Sequence, residues 1–294
     1  MFYRRKIILG LIELLGGEVE KLRLQKLLFL FSQKKPQAEY DFVPYKYGCY
    51  SYSAKADLNT MVKKGLLIST ESSYQKKDKV KYLQKLKPDD GKYLREVVTD
   101  YGGMSQNTLI KHTYLNFPFY AINSIIAEDL LPGNLFNRVE NAIPKDENTK
   151  LFTIGYEGIS LEKYLQKLVL SNVKLLIDVR KNPLSMKFGF SKTLLKRYCN
   201  SLGMEYIHIP EVGINSDKRQ KLETQADYDR LFLEYRNTTL SETRAAQNRI
   251  IALLNQYKRI ALTCFEAEPC QCHRSHLANA IEQLPDFKSE VEHL

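Results

Sequence analysis

Hydrophobic positions in the first half of the chain recur mainly at helical spacing. Between Lys21 and Lys34 the apolar side chains that share one helix face are Leu24, Leu27, Leu28 and Phe31. A second helix carries Leu58 and Met61, and Ser53 is predicted to cap its start. This half is therefore predicted to fold as a mainly helical domain.

Two apolar runs, 66–74 and 80–86, follow these helices and flank a lysine-rich turn. They predict a β-hairpin, and helices followed by a hairpin are the element order of a winged-helix module. Binding to nucleic-acid phosphates, which releases counterions, is predicted for the hairpin lysines Lys76, Lys77, Lys79 and Lys81. The alternative is a solvated hairpin whose lysines discourage edge-to-edge pairing of strands.

In the second half, strand-like apolar runs alternate with helical segments. Strands are predicted at four places: 151–155, 173–179, 204–209 and 259–264. Ser160 and Ser191 are predicted to cap the helices that follow the first two strands, and a long helical stretch precedes the fourth. This alternation predicts an α/β fold, a three-layer domain whose mainly parallel sheet is covered by helices on both faces.

A polar segment at 144–150 separates the two patterns. The chain has 294 residues, so two domains are expected, and we place them at 1–148 and 149–294. The net charge is +10, with 24 basic and 17 acidic residues in 1–150 against 20 and 17 in 151–294. Most of the positive excess therefore lies in the first domain, where it permits a DNA or RNA partner.

The same patterns exclude several classes of protein. No run reaches the roughly 18 apolar residues of a membrane-spanning helix. Glu13 also interrupts the N-terminal apolar stretch that superficially resembles a signal peptide. The five cysteines are an odd number, and three of them fall within 264–272, unlike a secreted disulfide framework. We therefore expect a soluble, cytoplasmic protein without a membrane partner.

Unusual polar residues follow all four predicted strands of the second domain. Parallel sheets bind ligands beyond the carboxyl ends of their strands, which makes ligand-binding candidates of Gly155, Tyr156, Arg180, Lys181, His208 and Arg274. Asp178 and Arg180 share one strand face, where they can bind an anion or form a structural ion pair. A lone strand histidine such as His208 is alternatively a packed, hydrogen-bonded residue.

The segment 264–274 carries the most reactive chemistry. Cys272 precedes a predicted helix, whose free N–H groups can lower the pKa of a cysteine, so it is a candidate nucleophile or redox thiol. The candidate catalytic residues of the domain are Glu157, Asp178, Glu266, Cys272 and His273. A zinc or other divalent ion is an alternative, but paired Cys-x-x-Cys knuckles are missing, so no metal or cofactor is predicted. ATP and NAD are not supported, since the chain has no Walker loop or dinucleotide fingerprint.

Four segments of the first domain are Leu24-Gln-Lys-Leu-Leu-Phe29, Tyr45-Lys-Tyr-Gly48 with Ser51, Asp57-Leu58, and Gly65-Leu66-Leu67. Over about residues 5–130 they resemble the Panacea-type antitoxin-like domain and its winged-helix-like relatives. The resemblance implies a regulatory or recognition module of the kind associated with toxin neutralisation and phage defence. Its partner would be a protein such as a cognate toxin.

Five motifs occur in order over about residues 150–283. They are Ile154-Gly-Tyr-Glu-Gly158 with Ser160, Ile177-Asp-Val-Arg180 with Pro183, Gly189-Phe-Ser191, His208-Ile-Pro-Glu211 with Gly213, and Cys264-Phe-Glu266 with Pro269 and Cys272-His-Arg274. Together they resemble the domain-of-unknown-function family 488. The resemblance implies an α/β fold, a polar pocket built from these motifs and a connection to nucleic acid or nucleotides. Cys270 departs from the pattern by creating a Cys-x-Cys pair, which favours the redox and metal alternatives.

Three hypotheses for the function follow from these residues. The first is a two-domain cytosolic protein that binds nucleic acid or a nucleotide-like anion and processes it in the C-terminal pocket. The second is a non-catalytic, antitoxin-like regulator or adaptor that senses a small molecule. The third is a redox-sensing thiol protein.

Overall fold

The computed structural model describes residues 1–215 and 224–294, and the chain divides into two compact units, Met1–Ile143 and Pro144–Leu294. Within the two described ranges, no helix combines the length and apolar character needed to cross a membrane. The part of the predicted long helical stretch that falls on 216–223 lies outside the described residues.

The first unit is mainly helical. Its helices are α1 (Tyr3–Leu14), α2 (Lys21–Gln33), α3 (Tyr52–Lys63), α4 (Pro88–Tyr101), α5 (Gln106–Asn116), α6 (Ala127–Leu130) and α7 (Asn137–Ala142). Its strands are β1 (Glu18–Glu20), β2 (Val43–Tyr45), β3 (Gly48–Tyr50), β4 (Leu67–Ser69) and β5 (Ser73–Lys76). An antiparallel sheet has the strand order β1-β5-β4, and β2 pairs with β3 separately. The predicted apolar face of α2 lies in the core of this unit.

The prediction that residues 80–86 form the second strand of the hairpin is wrong. Strands β4 and β5 form the hairpin, so the lysine-rich segment follows it. The Asp78 carboxylate accepts hydrogen bonds from the Val80 amide at 3.1 Å and from the Tyr82 hydroxyl at 2.6 Å. These local bonds compete with strand pairing, and a 3₁₀ turn follows at Leu83–Lys85.

Serine caps begin two of the predicted helices. The Ser160 side chain accepts the Lys163 amide at 3.1 Å, which confirms it as the cap of the helix Leu161–Leu170. Ser191 precedes the next helix, but its side chain makes no capping hydrogen bond. Ser53 is the wrong cap for α3, because Ser51 accepts the Ala54 amide at 3.2 Å.

The second unit has the predicted α/β fold. Its strands are β6 (Lys150–Gly155), β7 (Leu175–Asp178), β8 (Glu205–His208), β9 (Arg259–Cys264) and β10 (Glu290–His293). Its helices are α8 (Leu161–Leu170), α9 (Lys192–Ser201), α10 (Gln225–Tyr235), α11 (Arg244–Tyr257) and α12 (His273–Glu282), with a π-helical turn at Arg236–Leu240. All neighbouring strands are parallel, in the order β10-β6-β9-β7-β8.

Helices pack on both faces of this sheet. One core joins strand residues such as Leu151 and Leu262 to apolar side chains of α10, α11 and α12. On the other face, the Tyr164 hydroxyl of α8 donates to the Thr263 hydroxyl of β9 at 2.7 Å, and α9 contacts β8. The predicted three-layer arrangement is therefore present.

Candidate functional site

A cavity of about 290 Å³ lies at the carboxyl ends of the three central strands, β6, β9 and β7. These strands are neighbours, so the residues that end or follow them meet although they are distant in sequence. Tyr156 follows β6, Arg180 lies beyond β7, and Cys264 ends β9. All three line the cavity.

The cationic wall of the cavity is Arg180, which a buried carboxylate holds in place. Asp178 is fully buried and accepts hydrogen bonds from Arg180 Nε at 2.8 Å and Nη2 at 2.5 Å. It also accepts the Tyr206 hydroxyl at 2.6 Å. Burial lowers the pKa of Arg180, but the hydrogen bonds and charge of Asp178 outweigh burial, so the pKa is raised and the guanidinium stays charged. Asp178 therefore positions Arg180.

Tyr156 forms a flat aromatic wall of the cavity. Its ring stacks on Phe190 with centroids 4.2 Å apart and an interplanar angle of 8°, and Phe265 packs edge-on at 5.3 Å. Burial raises the pKa of Tyr156, so its hydroxyl remains protonated at neutral pH. Gly155 precedes Tyr156 where a Cβ would overlap the Glu266 carbonyl, so only glycine allows this close approach.

Cys264, which is 1% exposed, lines the cavity beside a histidine. Its Sγ lies 3.4 Å from His273 Nδ1 and 3.3 Å from a carboxylate oxygen of Glu266. His273 Nε2 lies 3.1 Å from the Val179 carbonyl oxygen. Because a carbonyl only accepts, Nε2 donates to it, and Nδ1 is the ring nitrogen that faces the Cys264 thiol. Two predicted catalytic residues, Glu266 and His273, thus meet around Cys264, and a thiol beside a histidine is the usual pairing of a cysteine nucleophile.

Cys272 caps α12 but is fully buried. Burial and the contact with Cys264 raise its pKa well above the usual value, against a smaller opposing effect of His273. The expectation that the helix start lowers this pKa is therefore wrong, because loss of hydration dominates. Cys270, in contrast, is exposed.

Three of these side chains form a compact group of soft ligands. The potential ligand atoms of Cys264, Cys272 and His273 all lie within 4.8 Å of one another, and all three residues are buried. Two thiolates and one imidazole are a ligand set that zinc accepts. This group was not predicted from the sequence, because the loop after β9 separates Cys264 from Cys272 and His273 along the chain.

Two predicted site residues hold the loop that follows β9. The exposed Glu157 accepts the Ala267 amide at 3.1 Å. Arg274 is fully buried, and its terminal nitrogens donate to the carbonyl oxygens of Glu266 and Ala267 at 2.5 and 2.8 Å. Their contacts fix the position of Glu266 next to the cavity.

His208 contacts the segment that follows β7, and Lys181 belongs to it. His208 Nε2 donates to the Arg180 carbonyl at 2.9 Å, and Nδ1 lies 3.0 Å from Lys192 Nζ. His208 is therefore a hydrogen-bonded residue that supports the segment. Lys181 is exposed, lines the cavity and forms no ion pair with any carboxylate of the described residues.

The rim of the cavity is apolar. Leu184, Met186 and Phe265 line it, and their side chains are 75%, 105% and 41% exposed. Exposed large apolar side chains grouped at a pocket are typical of a binding surface. Sequence reasoning missed Leu184 and Met186, since no pattern distinguishes them within the loop, whereas Cys264 could have been found as the last residue of an apolar strand.

In the first unit, the lysines predicted to contact nucleic acid lie in the segment after β5. Lys77, Lys79 and Lys81 are exposed. Lys76 pairs with the Asp78 carboxylate at 3.1 Å. Three of the four side chains therefore extend into solvent.

The comparison with protein families concerns the second unit. A family model described as "Domain of unknown function DUF488" matches residues 160–281, which include β7, β8, β9 and the cavity residues from Arg180 to His273. No curated protein matches the chain. Residues 160–281, in the C-terminal half of this chain, therefore form a domain that matches the DUF488 family.

Proposed function

We propose that the DUF488 domain binds a nucleotide-like anion in the cavity at the strand ends, and that Cys264 supplies a nucleophilic thiol in this cavity. The observation that carries this proposal is the division of the cavity wall. Two cations, Arg180 and Lys181, stand next to an apolar rim that includes Phe265. A phosphate suits the cations, and a base suits the exposed aromatic and aliphatic side chains.

The charge of the cavity supports an anionic ligand. Its described lining contains no carboxylate, since Asp178 lies behind Arg180 with both oxygens hydrogen-bonded. Arg180 is fixed before any ligand arrives, which reduces the conformational entropy lost on binding. Lys181 adds a second positive charge that solvent can reach.

Isothermal titration of the full-length protein with adenosine 5′-monophosphate tests the binding site. We expect binding that Lys181→Ala weakens about tenfold, the effect of removing a charge-assisted hydrogen bond worth about 1.4 kcal/mol. Lys196→Ala, which removes an exposed lysine of α9, is the matched control and should bind as the wild type does. Equal affinity for adenosine and its monophosphate would refute the proposal.

For the first unit we propose a winged-helix-like module that binds nucleic acid. Its support is the element order α1-β1-α2-β2-β3-α3-β4-β5, in which the β2–β3 hairpin stands between α2 and α3, together with the strand order β1-β5-β4. The exposed Lys77, Lys79 and Lys81 follow the hairpin directly and supply positive charge for phosphates. A regulator or adaptor role would follow from this module.

A zinc-binding role for the second unit is favoured by one separate observation, the closeness of Cys264, Cys272 and His273. Zinc would occupy the thiol proposed as the nucleophile, so the two candidates exclude each other in one molecule. Elemental analysis of the purified protein separates them. One equivalent of zinc that Cys272→Ser removes would support the metal site, and metal-free protein would support the free thiol.

A further inference from the structure

A cavity of about 250 Å³ lies in the first unit, and none of the functions proposed above involves it. Its walls come from α2, the β2–β3 hairpin, α3 and β5. The cavity is smaller than the roughly 300–1,000 Å³ of pockets for drug-sized ligands. Its ligand would therefore be about as small as a single substituted ring.

Positive charge is concentrated on this cavity. Lys21, Lys26 and Lys55 line it, while its described lining contains no aspartate or glutamate. None of the three forms an ion pair with a carboxylate of the described residues, although the chain has 34 acidic side chains. Lys21 Nζ donates to the carbonyl oxygens of Thr70 and Glu71 at 2.6 and 2.9 Å, so these partners are neutral. A small cavity lined by three lysines and no acid complements an anion.

Lys26 is the most unusual of the three lysines because it is 1% exposed. Its Nζ donates to the Tyr47 carbonyl, lies 3.4 Å from the Cys49 carbonyl oxygen and thiol, and is 5.8 Å from the Tyr114 ring centre. The two carbonyls and the thiol accept hydrogen bonds from Lys26 Nζ, but none of these neutral partners carries a negative charge that would neutralise its ammonium form. A buried ammonium is costly unless it is paired, so an anion in the cavity would supply the missing counter-charge.

Glycine keeps the space around Lys26 open. Gly48 has a φ of +86°, and a Cβ at this position would lie 2.7 Å from Lys26 Nζ and would overlap the Tyr114 ring. The hairpin β2–β3 can therefore pass close to the amine only with glycine here.

The remaining wall is aromatic. Four tyrosines line the cavity: Tyr45, Tyr47, Tyr50 and Tyr74. The rings of Tyr45 and Tyr50 lie 5.0 Å apart, and the Tyr74 hydroxyl accepts a hydrogen bond from Lys55 at 2.6 Å. Flat side chains of this kind stack favourably on a planar ring.

We propose that this cavity binds a single aromatic ring that carries one carboxylate or phosphate group. The anionic group lies at the lysines, with Lys26 as its deepest contact, and the ring packs against the tyrosines. This site lies in a different unit from the nucleotide-like site and does not depend on it.

Isothermal titration of the full-length protein with benzoate and phenyl phosphate tests the proposal, and benzamide is the neutral match for benzoate. We expect at least one of the two anions to bind. If benzoate binds, benzamide should bind at least tenfold more weakly or show no binding. Lys26→Met should weaken binding of the anion at least tenfold. Lys55→Met, which retains the buried amine of Lys26, should weaken binding by a similar factor. Lys92→Met, at an exposed position of α4, is the matched control and should leave binding unchanged.

The site in the second unit provides an independent comparison. Lys181→Ala should leave the affinity for the aromatic anion unchanged, which separates the outcome from that of the proposed nucleotide-like site. Absence of binding by both anions would overturn the proposal. So would equal binding of benzoate and benzamide, or unchanged affinity in folded Lys26→Met and Lys55→Met proteins, with folding checked by circular dichroism.

Discussion

At the residue scale, the ion pair of Asp178 and Arg180 determines where the positive charge of the second unit's cavity lies. The sequence left open whether the two side chains form a structural ion pair or bind an anion. Asp178 is fully buried and bonded to Arg180 through both oxygens, while Arg180 also lines the cavity. The ion pair thus places a charged guanidinium where the proposed anion would lie.

This arrangement predicts a stability effect for Arg180→Ala. Removing the guanidinium leaves the Asp178 carboxylate buried without its cation, which costs about 3–5 kcal/mol in the free energy of unfolding. Lys181→Ala, at the neighbouring exposed position, should change stability by less than about 0.5 kcal/mol. Hydrogen exchange of β6, β7 and β9 amides measures both variants within the second unit. An Arg180→Ala protein as protected as the wild type would show that the pair does not stabilise the fold.

Lys26 predicts a pH dependence in the first unit. Burial lowers its pKa, so between the lowered value and about 10.4 the unfolded chain holds a proton that the folded chain has released. Stability of the wild type should therefore rise with pH in this window relative to Lys26→Met, and the difference should level off above about pH 10.4. The side chains that face or share its cavity are Cys49, Tyr114, Lys21, Lys55, Tyr45, Tyr47, Tyr50 and Tyr74.

Urea denaturation of the wild type and Lys26→Met from pH 7 to pH 10.5 measures the difference in their free energies of unfolding. Groups that titrate in the same way in both proteins do not contribute to this difference. A difference that is constant over the range would mean that Lys26 is protonated throughout.

At the element scale, the chain's apolar runs were sufficient to locate four of the five strands that the described residues of the second unit form. Strand β10 was not found, because its sequence Glu290–His293 has a single apolar residue, Val291. It pairs with β6 through the parallel backbone ladder, and cross-strand contacts such as Lys150 with Glu292 at 2.9 Å accompany this pairing. Such contacts join residues distant in sequence and leave no periodic pattern.

The candidate site was predictable to the extent that it follows strand ends. Tyr156 and Arg180 do line one cavity, because the strands that position them are close neighbours in the sheet. The contact between Cys264 and His273 was not predicted, because the two residues are separated by a loop and only the folded loop brings them together. Burial of Cys272 likewise depends on packing that the local sequence does not reveal.

The two serines that precede α8 and α9 give a matched prediction about helix caps. Ser160 accepts the Lys163 amide, whereas Ser191 makes no capping bond. Ser160→Ala should therefore lower the stability of the second unit by about 1 kcal/mol. Ser191→Ala should change it by less than about 0.5 kcal/mol. Chemical denaturation of the two variants checks the pair, and equal losses would contradict the assigned caps.

At the scale of the whole molecule, the positive charge is divided between an exposed segment and two enclosed sites. The excess in residues 1–150 includes the exposed Lys77, Lys79 and Lys81. In the second unit the net charge is small, and two cations at one cavity matter more than the total. The two units are therefore expected to recognise different anions.

The exposed lysines predict a salt effect on duplex DNA binding by the full-length protein. Replacing Lys77, Lys79 and Lys81 with Gln should flatten the slope of log affinity against log salt by about 0.9 for each phosphate that the lysines no longer neutralise. Replacing Lys163, Lys174 and Lys196, exposed in the second unit, removes the same charge and serves as control. Fluorescence anisotropy at several salt concentrations measures both slopes. Equal flattening would mean that net charge alone drives binding.

In the second unit, Cys264 is proposed to be the reactive thiol of a cavity that binds an anion. Iodoacetamide labelling of the full-length Cys270→Ser protein, followed by peptide mass spectrometry with and without adenosine 5′-monophosphate, tests both parts of this proposal. We predict that Cys264 is labelled through the cavity, that Cys272 with its raised pKa is not, and that the nucleotide slows labelling of Cys264. Labelling of Cys272 before Cys264, or a Cys264 rate that the nucleotide leaves unchanged, would contradict the claim.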